Sequence, residues 1–173
     1  MKKILLFIIF LCVSTLTFGQ SVLGIPFGSS YEETKQLLLN RNTGETMWEQ
    51  DGTIVVVNGY IGLIPFNFGY FYFQYDRDKS YLYSACFSDI GLTANKAKAK
   101  REIFADIIKE KYYDSIKDYV DETGFKRYSF GVNPLDKNEP LGKIFIYHNK
   151  KSNNYDTVLY YGPIYYVGKN ADF

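Results

Sequence analysis

The chain has 173 residues, 20 basic against 19 acidic side chains, and an aromatic share of 18%. That length suits one compact domain or a tight pair of small repeats. A net charge of +1 gives no basic excess to hold a phosphate backbone, so nucleic acid is not an expected partner.

Met1-Lys2-Lys3 is a short positive start, Ile4 to Leu11 an unbroken apolar run, and Val13 to Gly19 turns small and polar. This pattern predicts a secretory signal peptide over residues 1–19, cut after Gly19, and a single exported domain over 20–173 in the periplasm or outside the cell. The apolar run is too short to span a bilayer, and no later segment is long and apolar enough, so the chain is not expected to be membrane-spanning. The leader carries Lys2 and Lys3 and no acid, so its removal takes the balance to 18 basic against 19 acidic. Cys12 leaves with it, and Cys86 then has no partner for an intramolecular disulfide. Leu11 stands before Cys12 where a lipoprotein signal needs a small residue, which argues against lipidation.

Gly24-Ile25-Pro26-Phe27-Gly28 reads as an extended, turn-punctuated opening. Ser29 with Glu32, and Ser30 with Glu33, both fit a capping box, predicting a helix from about Tyr31 to Arg41. Thr53 to Val57 is a β-branched strand, Asn58-Gly59 a tight hairpin turn, and Tyr60 to Ile64 its return, interrupted by Pro65. Phe68 to Tyr75 and Tyr81 to Phe87 are strands around the polar turn Asp76-Arg77-Asp78-Lys79. Thr93 can cap a second helix from Ala94 to about Tyr113, with an inward stripe of Ala97, Lys100 or Arg101, Phe104, Ile107 and Ile108. Asp121 to Gly124 is a turn, Asn133 to Pro140 a polar linker, and Lys150 to Asn154 a hairpin loop. Three strands fall between and around them: Phe125 to Val132, Lys143 to His148 and Thr157 to Tyr161. The expected fold is α+β, a curved antiparallel sheet of about six or seven strands with two helices on one face. The order of elements suggests two helix-plus-meander repeats.

Strand alternation assigns faces. Phe71, Phe73 and Tyr75 share one side, and Phe68, Tyr70, Tyr72 and Gln74 the other. Ile144 and Ile146 read as core, with Lys143, Phe145 and Tyr147 pointing away. Helices over the first side would leave Tyr70, Tyr72, Phe145 and Tyr147 as an aromatic surface, the candidate binding site. Cys86 alternates with Leu82 and Ser84 and reads as a buried structural thiol.

The search for chemistry is largely negative. His148 is the single histidine, and no G-x-S-x-G elbow accompanies it. One His and one Cys cannot build a zinc site without carboxylates. Asp76, Asp78 and Ser80 imitate the start of a calcium loop, but Tyr81 and Phe87 stand where glycine and glutamate are needed. Neither a Walker nor a dinucleotide glycine pattern occurs, and no cofactor is expected.

The stretch Gly24-Ile25-Pro26-Phe27-Gly28-Ser29-Ser30-Tyr31-Glu32-Glu33 resembles a G-x-P-F-G-x-S-x-E-E opening of small exported Gram-negative proteins. In outline the chain is similar to the β-lactamase-inhibitor-protein and small outer-membrane-assembly lipoprotein folds. The resemblance implies helices on one face of a curved antiparallel sheet and a protein-binding, non-catalytic role. It departs from them in lacking a lipobox and paired cysteines, and in having one helix rather than two before the first strands. The expected function is non-catalytic binding of an envelope or extracellular protein, or of a glycan, through the aromatic face. The alternative is an envelope hydrolase with a carboxylate or Cys86-based site.

Overall fold

The computed structural model describes residues 20–41 and 44–166. The expected leader, residues 1–19, lies outside them. A small hairpin, β1 (Ser21–Val22) and β2 (Ile25–Pro26), precedes helix α1 (Tyr31–Asn40). Four strands follow: β3 (Thr46–Gln50), β4 (Thr53–Ile61), β5 (Ile64–Asp76) and β6 (Lys79–Leu92). Helix α2 (Ala94–Tyr112) and a 3-10 turn lead to β7 (Lys117–Val120), β8 (Lys126–Phe130), β9 (Gly142–Asn149) and β10 (Asn154–Tyr161). These eight strands form one open antiparallel sheet in the order β3-β4-β5-β6-β10-β9-β8-β7, beside the separate two-stranded β1/β2 sheet.

The main sheet therefore has eight strands rather than six or seven. The additional ones are its edges, β3 and β7. Nearly every residue in them is exposed, so they carry too little apolar alternation to read as half-buried strands.

Both helices start where their caps place them. Ser30 accepts from the Glu33 backbone N–H at 3.2 Å, and Thr93 from that of Lys96 at 3.4 Å. Of the alternatives on the α2 stripe, Arg101 is the buried one. It lies inward with Ala97, Phe104, Ala105 and Ile108, and its guanidinium bonds Glu102 and the Lys126 carbonyl. Lys100 instead pairs with Asp89 at 2.6 Å.

Both helices lie on the same side of the sheet. Thr157 on β10 donates to the Ala97 carbonyl of α2 at 2.9 Å, and Tyr31 of α1 packs on Phe73 of β5 at 5.0 Å between ring centroids. On that side one row of paired residues runs Ile54, Phe71, Ala85, Tyr161, Gly142, Phe130 across β4, β5, β6, β10, β9 and β8. Gly142 is required there, because a Cβ would stand 2.3 Å from the Phe130 ring. Leu38 of α1 and Phe104 and Ile108 of α2 complete a single core with these residues. Each fully buried side chain of that size contributes about 1.5–3 kcal/mol by leaving water.

The Asn58-Gly59 pair is not a hairpin turn. It lies inside β4, with Asn58 at φ 54°. Its glycine answers to packing, since a Cβ on Gly59 would stand 2.4 Å from the Phe66 ring. The irregularity also lets Phe66 pack inward on Phe87 at 5.0 Å, although Phe68, two residues on, lies outward against Trp48. The actual turns are Asp51-Gly52, both at positive φ, and Gly62-Leu63. Pro65 does not interrupt the return strand; it pairs with Tyr60.

A second correction concerns β6. The β5–β6 register shifts between Tyr72 and Phe73, leaving Tyr83 as an extra residue. Leu82 therefore faces the core while Ser84 and Cys86 face away, so Leu82 and Cys86 do not share a face. Plain period-two counting misses this because a bulge changes the parity of every later position.

Candidate functional site

The helix-free side of the sheet carries a row that crosses all eight strands. It runs Trp48, Val55, Tyr70, Cys86, Tyr160, Lys143, Ser129, Lys117. The neighbouring row runs Thr46, Val57, Phe68, Ser88, Val158, Phe145. The same face extends to Tyr72, opposite Ser84, and to Tyr147, opposite Asp156. Tyr70, Tyr72, Phe145 and Tyr147 thus occupy one side of the sheet, on β5 and β9, with β6 and β10 between them.

The β5 end is a continuous aromatic ladder. Trp48 meets Phe68 edge-on at 6.5 Å, Phe68 stacks on Tyr70 at 6.2 Å, and Tyr70 on Tyr72 at 6.1 Å. Such rings hold one another in place and so lose little freedom when something covers them. Burial among these neighbours pushes the Tyr72 hydroxyl up to about 12, so it remains a neutral donor and acceptor at physiological pH. Trp48, at 42% exposure, and Tyr147, at 58%, stand freely in solvent on β3 and β9.

The β9 end differs in charge. Arg127 lies over the Phe145 ring at 5.3 Å and pairs with Asp121, while Lys143 and Lys117 share the long row. The Thr123 hydroxyl is the leading cause that lowers the Asp121 carboxyl to about 2, helped by the Arg127 guanidinium and by the backbone N–H groups of Phe125 and Thr123. The outward positions of β3 to β6 in these rows are Thr, Trp, Gln, Val, Phe, Tyr, Ser and Cys, with no formal charge. One half of the face is therefore uncharged and aromatic, and the other is aromatic with mixed charge, Arg127, Lys143 and Lys117 standing with Asp121 and Asp156.

Cys86 is half-buried on this open face between Tyr70 and Tyr160, not in the core. Burial among them pushes its thiol up to about 11. His148 is not its neighbour. Its row meets β9 at Lys143, and five further residues at about 3.3 Å each separate that point from His148. His148 stacks on Tyr155 at 4.5 Å and contacts Asn153 at 3.2 Å within the β9–β10 hairpin. Asp78 belongs with Arg77 to a two-residue turn closed by the Asp76–Lys79 pair, Asp76 being the last residue of β5. Among the described residues no group of three or more His, Cys, Asp or Glu side chains is arranged to hold a metal ion. Among them, too, no helix is long and apolar enough to cross a membrane.

Trp48, Phe68 and Tyr160 belong to this surface but were outside the expected site. Trp48 was missed with its strand, although Asp51-Gly52 next to Thr46-Met47-Trp48 is a usable hairpin signal. Tyr160 required the β6–β10 pairing, which no local pattern gives. Comparison of the chain with protein-family models, curated proteins and solved structures gave no match.

Proposed function

We propose that this chain is an exported, non-catalytic binding protein whose open sheet face docks an envelope or extracellular protein. The observation that carries the reading is the division of the sheet. Among the described residues all helical cover lies on one side, while the other presents the run Trp48, Phe68, Tyr70 and Tyr72 and, on β10 and β9, Tyr160, Phe145 and Tyr147. Seven inter-strand steps of about 4.8 Å make the face roughly 33 Å wide along the sheet. That is ample for a standard interface of about 800 Å² per partner. Tyrosine and tryptophan are the residues that anchor such interfaces.

The charge pattern specifies the partner's chemistry. An apolar patch would cover the β3–β5 half, and polar groups of both charges beside it would meet Lys117, Lys143 and Asp156. Export is supported by the basic, apolar and small-residue pattern of residues 1–19. A helix followed by a four-stranded meander, twice over, supports reading the domain as two repeats, and with it the resemblance to protein-binding folds of that layout. A hydrolase built on Cys86 has less support, because a thiol at about 11 is protonated at neutral pH and His148 is out of its reach.

The test measures partner binding and thermal unfolding together for Tyr72→Ala and Tyr147→Ala. The partner is first captured by crosslinking to the wild-type protein in native envelope extracts. Binding should weaken by about 1–2 kcal/mol or more per truncation at a hot spot. A large fall in melting temperature with binding unchanged would show these tyrosines to be core and would end the reading.

A further inference from the structure

At the β9–β10 end of the open face, the Asn133–Pro140 loop and the chain after β10 enclose a cavity of about 510 Å³. This lies within the roughly 300–1,000 Å³ range of small-molecule sites. Its lining includes Leu135, Asp136, Glu139, Lys143, Tyr160 and Tyr165.

The walls are tied together without a ligand. Asn133, 5% exposed, donates through its side-chain amide to the Pro163 carbonyl at 2.8 Å and accepts from the Leu135 backbone N–H at 3.0 Å. The loop closes on itself through Asn133 N–H to the Glu139 carbonyl, and Glu139 N–H to the Asp136 carbonyl, both at 3.0 Å. Gly162 N–H bonds the Leu141 carbonyl at 2.7 Å. Tyr165 is held by stacking on Tyr83 at 6.0 Å. A preformed site of this kind spares a ligand the cost of ordering it.

We infer that this cavity binds a pyranose ring, as a free sugar or the end of a glycan. The two tyrosine rings with Leu135 offer apolar surface for a sugar's C–H face. The Glu139 carboxylate accepts from hydroxyl groups, and the Lys143 ammonium donates to them. A hydroxyl both donates and accepts, so a neutral polyol satisfies this mixed set. An anion would meet two carboxylates, and a cation would meet Lys143. The Asp136 carboxylate also accepts from the Asn138 backbone N–H at 3.2 Å, which fixes its direction. The site shares Tyr160 and Lys143 with the docking face and goes beyond it, because it needs neither the Trp48–Tyr72 ladder nor a protein partner.

Saturation-transfer NMR on the exported protein, with maltose, cellobiose, lactose and N,N′-diacetylchitobiose as probes, tests the inference. At least one probe should receive saturation from aromatic protons, with a dissociation constant on the order of 1 mM. Tyr165→Ala should abolish the transfer, and Glu139→Gln should weaken binding about fivefold. Tyr72→Ala should leave it unchanged. Glu139 is exposed, so its variant decides the matter even if Tyr165→Ala fails to fold. No transfer from any of the four sugars up to about 10 mM, or binding unaltered by Glu139→Gln, would overturn the inference. Partner binding unchanged by Tyr72→Ala, with sugar binding present and sensitive to Glu139→Gln, overturns the docking reading alone; partner binding lost in Tyr72→Ala, with no sugar bound by the wild type, overturns the sugar site alone.

Discussion

The two sides of one sheet place similar residues in opposite roles. On β5, Phe71 and Phe73 are buried under the helices, while Tyr70 and Tyr72, interleaved with them, form the open ladder. On β10, Tyr161 packs edge-on against Phe130 in the core, and its neighbour Tyr160 lies outward beside Lys143. Aromatic content therefore does not separate core from surface in this chain. The pleat does, together with the side on which α1 and α2 fall. The core side buries Phe71, Phe73, Phe87 and Phe130 together with Tyr161, and the open side presents Tyr70, Tyr72 and Tyr160 together with Phe68 and Phe145.

The comparison is broken most severely at β6, where Phe87 and Cys86 are adjacent and face opposite ways. Phe87 is fully buried against Phe66, Phe71 and Tyr161. Phe87→Ala should cost about 3–5 kcal/mol in denaturant unfolding. On the open side, Tyr72→Ala should cost only about 1–2 kcal/mol, because its stack on Tyr70 stays accessible to water. A loss for Tyr72 equal to that for Phe87 would mean that something covers the open face.

Cys86→Ala should change stability by less than about 1 kcal/mol, since the site can relax toward solvent. With its thiol pushed up to about 11, Cys86 should react slowly with a thiol reagent at neutral pH in the native state, and fast once denatured. Rapid native labelling would contradict its enclosure by Tyr70 and Tyr160.

The smallest effect is electrostatic. The Asp121 carboxyl lies at about 2 when folded, below its unfolded value of about 3.9. Its stabilising contribution is therefore fully present above pH about 4 and is lost as the pH falls toward 2. Asp121→Asn should flatten this part of the acid-unfolding profile while leaving the neutral-pH slope unchanged.

Much of this division was legible in the sequence, for local reasons. The caps at Ser30 and Thr93 fixed both helix starts, and the alternation of Tyr70, Phe71, Tyr72 and Phe73 gave the correct sides. The same held for Ile144, Phe145, Ile146 and Tyr147. What failed depended on contacts distant in the chain. Asn58-Gly59 has the composition of a turn, yet it serves a close approach by Phe66. The bulge at Tyr83 inverted the side assigned to Leu82 relative to Cys86. The edge strands β3 and β7 carry little apolar pattern, so Trp48 was missed although it extends the ladder. The union of Tyr70 and Phe145 on one surface required the β6–β10 pairing at the centre of the sheet, which no single segment encodes.

The central claim is that the helix-free face, and not the helical side, meets a partner. The most direct measurement places a photo-crosslinking residue at Tyr70, at Tyr147 and, on the exposed side of α1, at Leu39 in the full chain made by its native cells. Positions 70 and 147 should yield the same discrete adduct, and position 39 none. The same adduct from Leu39, or no adduct from either tyrosine position, would contradict the account.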